Sequence, residues 1–274
     1  MKNKIGFMQG RLSPIYNNLI QSFPYTNWEN EFKFAKKMGF SHIEWTVDQY
    51  LLDMNPISNK NGLDKIKKIK KKYNIQTHNL TADFFMQNPF FKSDKLVTKI
   101  LEDQILKLLE NSSKIKVKNF VIPLVDNSSI KNTKQLNTVI SFFKNIRNFL
   151  KKIKINIVFE TDMKPKNNMI FIEKLQDDCF GINYDMGNSA SIGYNTVKEI
   201  NLYGSKIYNV HIKDRKFMGE SIKLGKGNVN FDSVFECLKK NYYNGFFTLQ
   251  TARSKSNKHI EVLNSSKKFI LKYF

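Results

Sequence analysis

The stretch NVHIKDRK (residues 209–216) holds the pattern from which the fold is read. The run Ile207 to Ile212 is mostly apolar and β-branched, as a buried strand should be, and it gives way at once to Lys213, Asp214 and Arg215. The same arrangement recurs along the chain. Strand candidates are Lys4 to Gln9, Ser41 to Thr46, Ile75 to Leu80, Asn119 to Leu124, Asn156 to Glu160, Gly181 to Asp185, Ile207 to Ile212 and Phe246 to Gln250. Between them lie amphipathic helix candidates near 27–38, 61–72, 93–116, 131–151, 165–175, 195–203, 230–241 and 258–272. In the second of these, Ile66 and Ile69 fall on one face at helical spacing while the lysines of Lys65 to Lys72 face water. Short strands alternating with helices predict βα units around a parallel sheet. Eight units in 274 residues, with no Pro/Gly/Ser linker, predict an α/β fold: one (β/α)8 TIM barrel spanning residues 1–274. An open doubly wound sheet is the alternative, with the same residues spread along a crevice.

Composition narrows the function classes. The net charge of +21 invites a nucleic-acid partner, yet only four of the 45 Lys and Arg residues are arginine. Lysines spread over helix faces speak to solubility rather than to a phosphate-binding groove. Neither a nucleic acid nor a membrane is expected as partner. The first apolar run, Ile5 to Met8, matches neither a signal peptide nor a membrane span, so a cytoplasmic protein is expected. Cys179 and Cys237 belong to no CxxC or CxxH pair and read as core thiols.

In such a barrel the active site lies at the C-terminal ends of the strands. The first polar residues there are Gln9 and Arg11; Glu44 and Trp45; His78, Asn79 and Asp83; Asp126 and Asn127; Glu160 and Asp162; Asn183, Asp185 and Asn188; His211, Lys213, Asp214 and Arg215; Gln250 and Arg253. Three of the four arginines, Arg11, Arg215 and Arg253, follow strands. A planar guanidinium grips carboxylate or phosphate through paired hydrogen bonds that lysine cannot copy. These arginines, with Lys213, are therefore expected either to hold an anionic group or to pair with a neighbour such as Asp214. Trp45 and the phenylalanines Phe84, Phe85 and Phe91 form a wall against a sugar or pack in the barrel. Gly225 and Gly227 in LGKGN admit a phosphate or simply make a tight turn. Asn188 bonds a sugar hydroxyl or caps a helix.

Glu160, Asp185 and His211 close the fifth, sixth and seventh strands. Two carboxylates and one imidazole suit a divalent ion such as Mn2+, Co2+, Zn2+ or Mg2+, with positions left for substrate oxygens.

The chain resembles the xylose isomerase-like TIM-barrel superfamily in its sugar phosphate isomerase/epimerase branch. The resemblance is carried by GFMQGRLSP, FSHIEWT, LTADFFMQ, VIPLVDN, FETD, GINYDMGNSASIGYN, NVHIKDR with LGKGNVNF, and GFFTLQTAR. Taken together, these pieces are similar to a subgroup associated with surface-polysaccharide biosynthesis. The resemblance implies one divalent metal held by Glu160, Asp185, His211 and a strand-8 residue. That residue is usually glutamate, and here it is Gln250. The amide removes one negative charge, so weaker metal affinity is expected.

In the ketose 3-epimerases of the superfamily, two glutamates exchange protons on opposite faces of the substrate, and an amide cannot replace one of them. Either Glu160 is the sole base, or Asp83, Asp162 or His78 supplies the second group, or the branch has lost its metal or its turnover. The expected chemistry is isomerisation or epimerisation of an anionic sugar, phosphorylated or nucleotide-linked. Glu160 removes the proton next to a carbonyl, and the cation stabilises the resulting enediolate. Gln9, Arg11, Glu44, Trp45, His78, Asp83, Asn188, Lys213, Arg215 and Arg253 are the expected substrate-binding set. A sugar dehydratase or lyase and a non-catalytic sugar-binding barrel are the alternatives. An abasic-site endonuclease, which needs a histidine-rich trinuclear zinc centre, fits poorly with four histidines of which at most two close strands. A homodimer is possible, since related barrels often pair.

Overall fold

In the computed structural model, which describes residues 4–15, 19, 21–254 and 256–274, seven of the eight strand candidates form strands close to their expected bounds, and the third, expected over Ile75 to Leu80, begins only at Asn79. The strands are β1 (Ile5–Met8), β2 (His42–Val47), β3 (Asn79–Ala82), β4 (Asn119–Leu124), β5 (Asn156–Thr161), β6 (Phe180–Asp185), β7 (Ile207–Ile212) and β8 (Phe246–Leu249). All pair in parallel in sequence order, and β8 closes on β1. The fold is a (β/α)8 barrel.

Eight helices follow the strands: α1 (Trp28–Lys37), α2 (Lys60–Tyr73), α3 (Lys95–Lys114), α4 (Thr133–Asn145), α5 (Pro165–Leu175), α6 (Thr196–Tyr203), α7 (Phe231–Lys240) and α8 (His259–Ile270). Local sequence sets their starts. Asn59, Asp94, Asn132, Asn195 and Asn230 each accept a first-turn backbone N–H, which satisfies a donor the helix leaves open. The candidate 131–151 is interrupted at Ile146, and the helical segment Arg147–Ile153 follows α4. A helix not expected from the sequence, Met186–Ile192, starts directly after β6 because the Asp185 side chain caps it through Asn188 N.

Outward-facing strand residues pack against the helices. Phe90, Phe142, Phe143, Phe159 and Phe171 form a continuous series with ring centroids 4.8 to 5.0 Å apart. Cys179 and Cys237 are buried free thiols, as expected. The barrel interior is polar. An amide chain runs through it: Asn156 donates to Asn119, Asn119 to Asn79, Asn79 to Asn209 and Asn209 to Asn183, at 2.8 to 3.2 Å. Each amide oriented by its neighbour leaves the next no freedom, so the chain fixes the floor on which the mouth is built. No described helix is long and apolar enough to cross a membrane.

Candidate active site

Glu160, Asp185 and His211 end β5, β6 and β7, and register places Asp185 directly beside His211. All three are buried, and one donor atom from each lies within 4.8 Å of the others. Among the described residues they form the one such group of histidine, cysteine and carboxylate side chains. Two surface cavities of about 740 and 750 Å3, beside Glu173 and Cys179 and between α3 and α4, lie away from it.

Every carboxylate oxygen in the group has a fixed direction. Glu160 accepts from the Asn183 and Asn188 amides, each at 2.7 Å. His211 Nδ1 stands 3.2 Å from Glu160 Oε2, and its Nε2 stands 2.8 Å from Glu44 Oε1. Glu44, expected to meet the substrate, instead lies beneath the mouth with no exposed surface, where it braces His211 and accepts from Thr81, Thr248 and Asn209 as well. Burial alone would push His211 down, but Glu44 and Glu160 on its two nitrogens hold it up at about 10. Burial likewise disfavours an ionised Glu44, and the imidazolium prevails, drawing its carboxyl down to about 2.

The donor set fits a divalent ion. An imidazole held through one nitrogen by a carboxylate presents the other to a metal in a fixed direction; Nδ1 faces the oxygens of Glu160, and an ion there would displace its proton. Both carboxylates are buried, so a hard cation would supply the compensation that water gives at a surface. Asp185 points one oxygen at Asn188 N (2.8 Å) and the other at Lys213 Nζ (3.2 Å). Gln250 Oε1 lies 3.3 Å from the same Nζ, so the strand-8 amide adjoins the group.

The remaining expected residues divide. Asp83 is 5% exposed, its Oδ2 has no hydrogen-bond partner, and its charged neighbours are Glu160, Asp48, His211 and Arg11. Burial, then repulsion from Glu160 and Asp48, raises its carboxyl to about 7. Gln9 accepts from Thr46 N and leaves its Nε2 unpartnered. Arg11 donates to Thr251 O and Gln21 Oε1, keeps Nη1 unpartnered, and is lowered to about 9 by burial and by Arg253. Arg253 donates to Ser13 O with Nε unpartnered. Asn188 joins Glu160, Lys213 and Arg215.

Three further expectations are corrected, and the open choice at Gly225 and Gly227 is decided. His78 precedes β3 and stacks on Phe246, the first residue of β8, with centroids 4.5 Å apart. It therefore sits at the N-terminal end of the barrel, opposite the site, and burial lowers it to about 4. Trp45 alternates with inward Glu44 and so points outward, packed on Phe23 and Trp28 with Nε1 bonded to Asn55. Arg215 gives two N–H groups to Gly219 O and a third to Asn188, so it shapes the hairpin Asp214–Arg215/Ser221–Ile222. The Gly225 and Gly227 amides donate to Asp214 Oδ2 and leave nothing for a phosphate; a Cβ at Gly227 would stand 2.2 Å from Asp214 Oδ1.

One residue outside the expected set matters. Glu31, on the buried face of α1, accepts from Gly10 N, Leu12 N and Ser13 Oγ and so holds the loop that carries Arg11. A glutamate among Trp28, Phe32 and Ala35 on an apolar helical face is a signal the sequence does contain.

A family model described as xylose isomerase-like TIM barrel matches residues 32–271, and the chain belongs to that family. A curated relative, the uncharacterized protein MJ1311 of Methanocaldococcus jannaschii, is 28% identical over 112 residues, which is 40% of this chain and 36% of that one. The match thus spans about a third of the relative's length. Among solved structures, D-allulose 3-epimerase from Methylomonas sp. superposes with a TM-score of 0.79 at 16% identity over 99% and 98% of the two chains. IolI protein with a bound zinc atom gives 0.78 at 16% over 98% and 97%. The 3-keto-D-glucoside 4-epimerase YcjR of E. coli gives 0.73 at 15% over 98% and 99%. At these identities the likeness is one of fold.

Proposed function

We propose that the chain is a cytoplasmic, metal-dependent isomerase or epimerase of an anionic sugar, phosphorylated or nucleotide-linked. The observation that carries this reading is the buried Glu160, Asp185 and His211 group at consecutive strand ends, braced by Glu44. That two of the similar structures are sugar epimerases, of D-allulose and of a 3-keto-D-glucoside, agrees with it.

Glu160, Asp185 and His211, with Gln250 as a neutral fourth donor, would hold the ion, which when bound would supply Lewis-acid polarisation of a sugar carbonyl. Glu160 takes the proton from the carbon next to that carbonyl, its oxygens aimed by Asn183 and Asn188. A positioned base of this kind contributes about 10²- to 10⁴-fold. Asp83 is the carboxyl that carries the second proton, because it is buried beside Glu160 with a free oxygen. His78 is remote, and Asp162 is bonded by Ser129. The unpartnered N–H groups of Arg11 and Arg253, at the ends of adjacent strands β1 and β8, meet the sugar's charged group.

The test is exchange of the proton next to the carbonyl with deuterated solvent, over a panel of ketoses and their phosphates with Mn2+. The wild type should exchange and epimerise at least one, while Glu160→Gln folds normally and does neither. Retained exchange in Glu160→Gln removes the assignment. A product lighter by one water makes the chain a dehydratase, and binding without exchange makes it a sugar-binding barrel.

A further inference from the structure

Lys213 reaches into the donor group. Its Nζ lies 3.2 Å from Asp185 Oδ2, 3.2 Å from Asn188 Oδ1 and 3.3 Å from Gln250 Oε1. Three ammonium protons thus meet three acceptors from two strand ends and the helix between them. The lysine side chain is 15% exposed, and that of Asp185 is 1% exposed. The position is shaped for it: a Cβ at Gly187 would stand 2.8 Å from Lys213 Cγ and 3.0 Å from its Cβ. Only glycine there lets the lysine stem lie across the first turn of helix Met186–Ile192.

We infer that Lys213 is a tethered cation that competes with the divalent ion for the Asp185 and Gln250 side of the site. The inference rests on the metal site of the proposed function. Two of the three acceptors of the ammonium are also residues that would hold the ion. Glu160 and Asp185 together carry two negative charges, which a divalent ion neutralises. The third buried carboxylate, Glu44, is bonded to His211 and not to the ammonium, so on the Asp185 side the ammonium stands as positive charge against the ion and repels it at close range. A glutamate at position 250 would balance that charge, and Gln250 does not. The departure at strand 8 and the lysine just after β7 are one electrostatic arrangement: the amide accepts an ammonium proton without adding charge. Ion loading therefore moves the lysine off Asp185, and the lysine sets the apparent affinity.

The test is calorimetric titration of Mn2+ into the full chain at fixed pH and ionic strength, for wild type, Lys213→Met and Lys213→Gln. The glutamine variant keeps N–H donors for Asn188 and Asp185 if the methionine variant folds poorly, and far-ultraviolet circular dichroism checks both. Both variants should bind Mn2+ at least about tenfold more tightly than wild type. Binding by the variants where wild type binds none is the same result at its limit. Unchanged or weaker affinity overturns the inference and makes Lys213 a group that merely orients Asp185. If neither wild type nor variants bind Mn2+, the metal site itself fails, an outcome separate from equal binding by all three.

Discussion

Glu44 Oε1 lies 2.8 Å from His211 Nε2, and neither side chain has any exposed surface. That bond turns the imidazole so that Nδ1 faces Glu160. Carboxylate partners of this kind raise the basicity of a ligating imidazole and fix its tautomer. In Glu44→Gln, Mn2+ affinity measured by calorimetry should fall by about 10- to 100-fold. Undiminished affinity would detach Glu44 from the metal site.

Asp83 gives a prediction with a definite sign. Its carboxyl is raised in the folded chain from near 3.8 to about 7 by burial and by Glu160 and Asp48. The folded state therefore binds its proton more tightly than the unfolded state does. The stability this contributes is complete below about pH 4 and is lost as pH rises through about 7. Relative to Asp83→Asn, the wild type should lose roughly 2 to 4 kcal/mol of stability between pH 4 and pH 8. Denaturant melts of both proteins in chelator measure the difference. A gap that widens in favour of wild type with rising pH would contradict it.

Glu31 anchors the loop after β1 through Gly10 N, Leu12 N and Ser13 Oγ. Glu31→Ala leaves buried donors without acceptors, at a cost of about 3 to 5 kcal/mol in denaturant unfolding. A loss below about 1 kcal/mol would show that the loop finds other acceptors.

His78 marks the other end of the barrel. His78→Phe should leave sugar hydrogen exchange within about twofold of wild type, since a conservative change remote from the chemistry removes no transition-state interaction. A large loss of exchange would place the chemistry at the wrong end of the barrel.

Much of this was legible in the sequence because strand ends punctuate the chain. The apolar runs closing in Glu160, Asp185 and His211 ended where the structure ends them, within a residue. The sequence puts His78 at the mouth for one reason. The apolar segment from Ile75 contributes only an isolated bridge at Gln76, and β3 begins at Asn79. A shift of a few residues moved the histidine from mouth to floor. Trp45 points away from the site because alternation along β2 allows only one of two neighbours to face inward, and Glu44 takes that place. The amide chain through Asn79, Asn119, Asn183 and Asn209 was hidden by composition, since asparagine is common throughout this chain and no local pattern marks the interior ones. The arginine hydrogen bonds to Gly219 O and Ser13 O are long-range or loop-specific, and no periodicity encodes them.

The most direct test of the account is metal stoichiometry by mass spectrometry after equilibration with Mn2+, for wild type and Asp185→Asn. Close to one ion per wild-type chain is expected, with a large loss in a folded Asp185→Asn protein. A folded wild type that holds no ion, or a variant that holds as much as wild type, would contradict it.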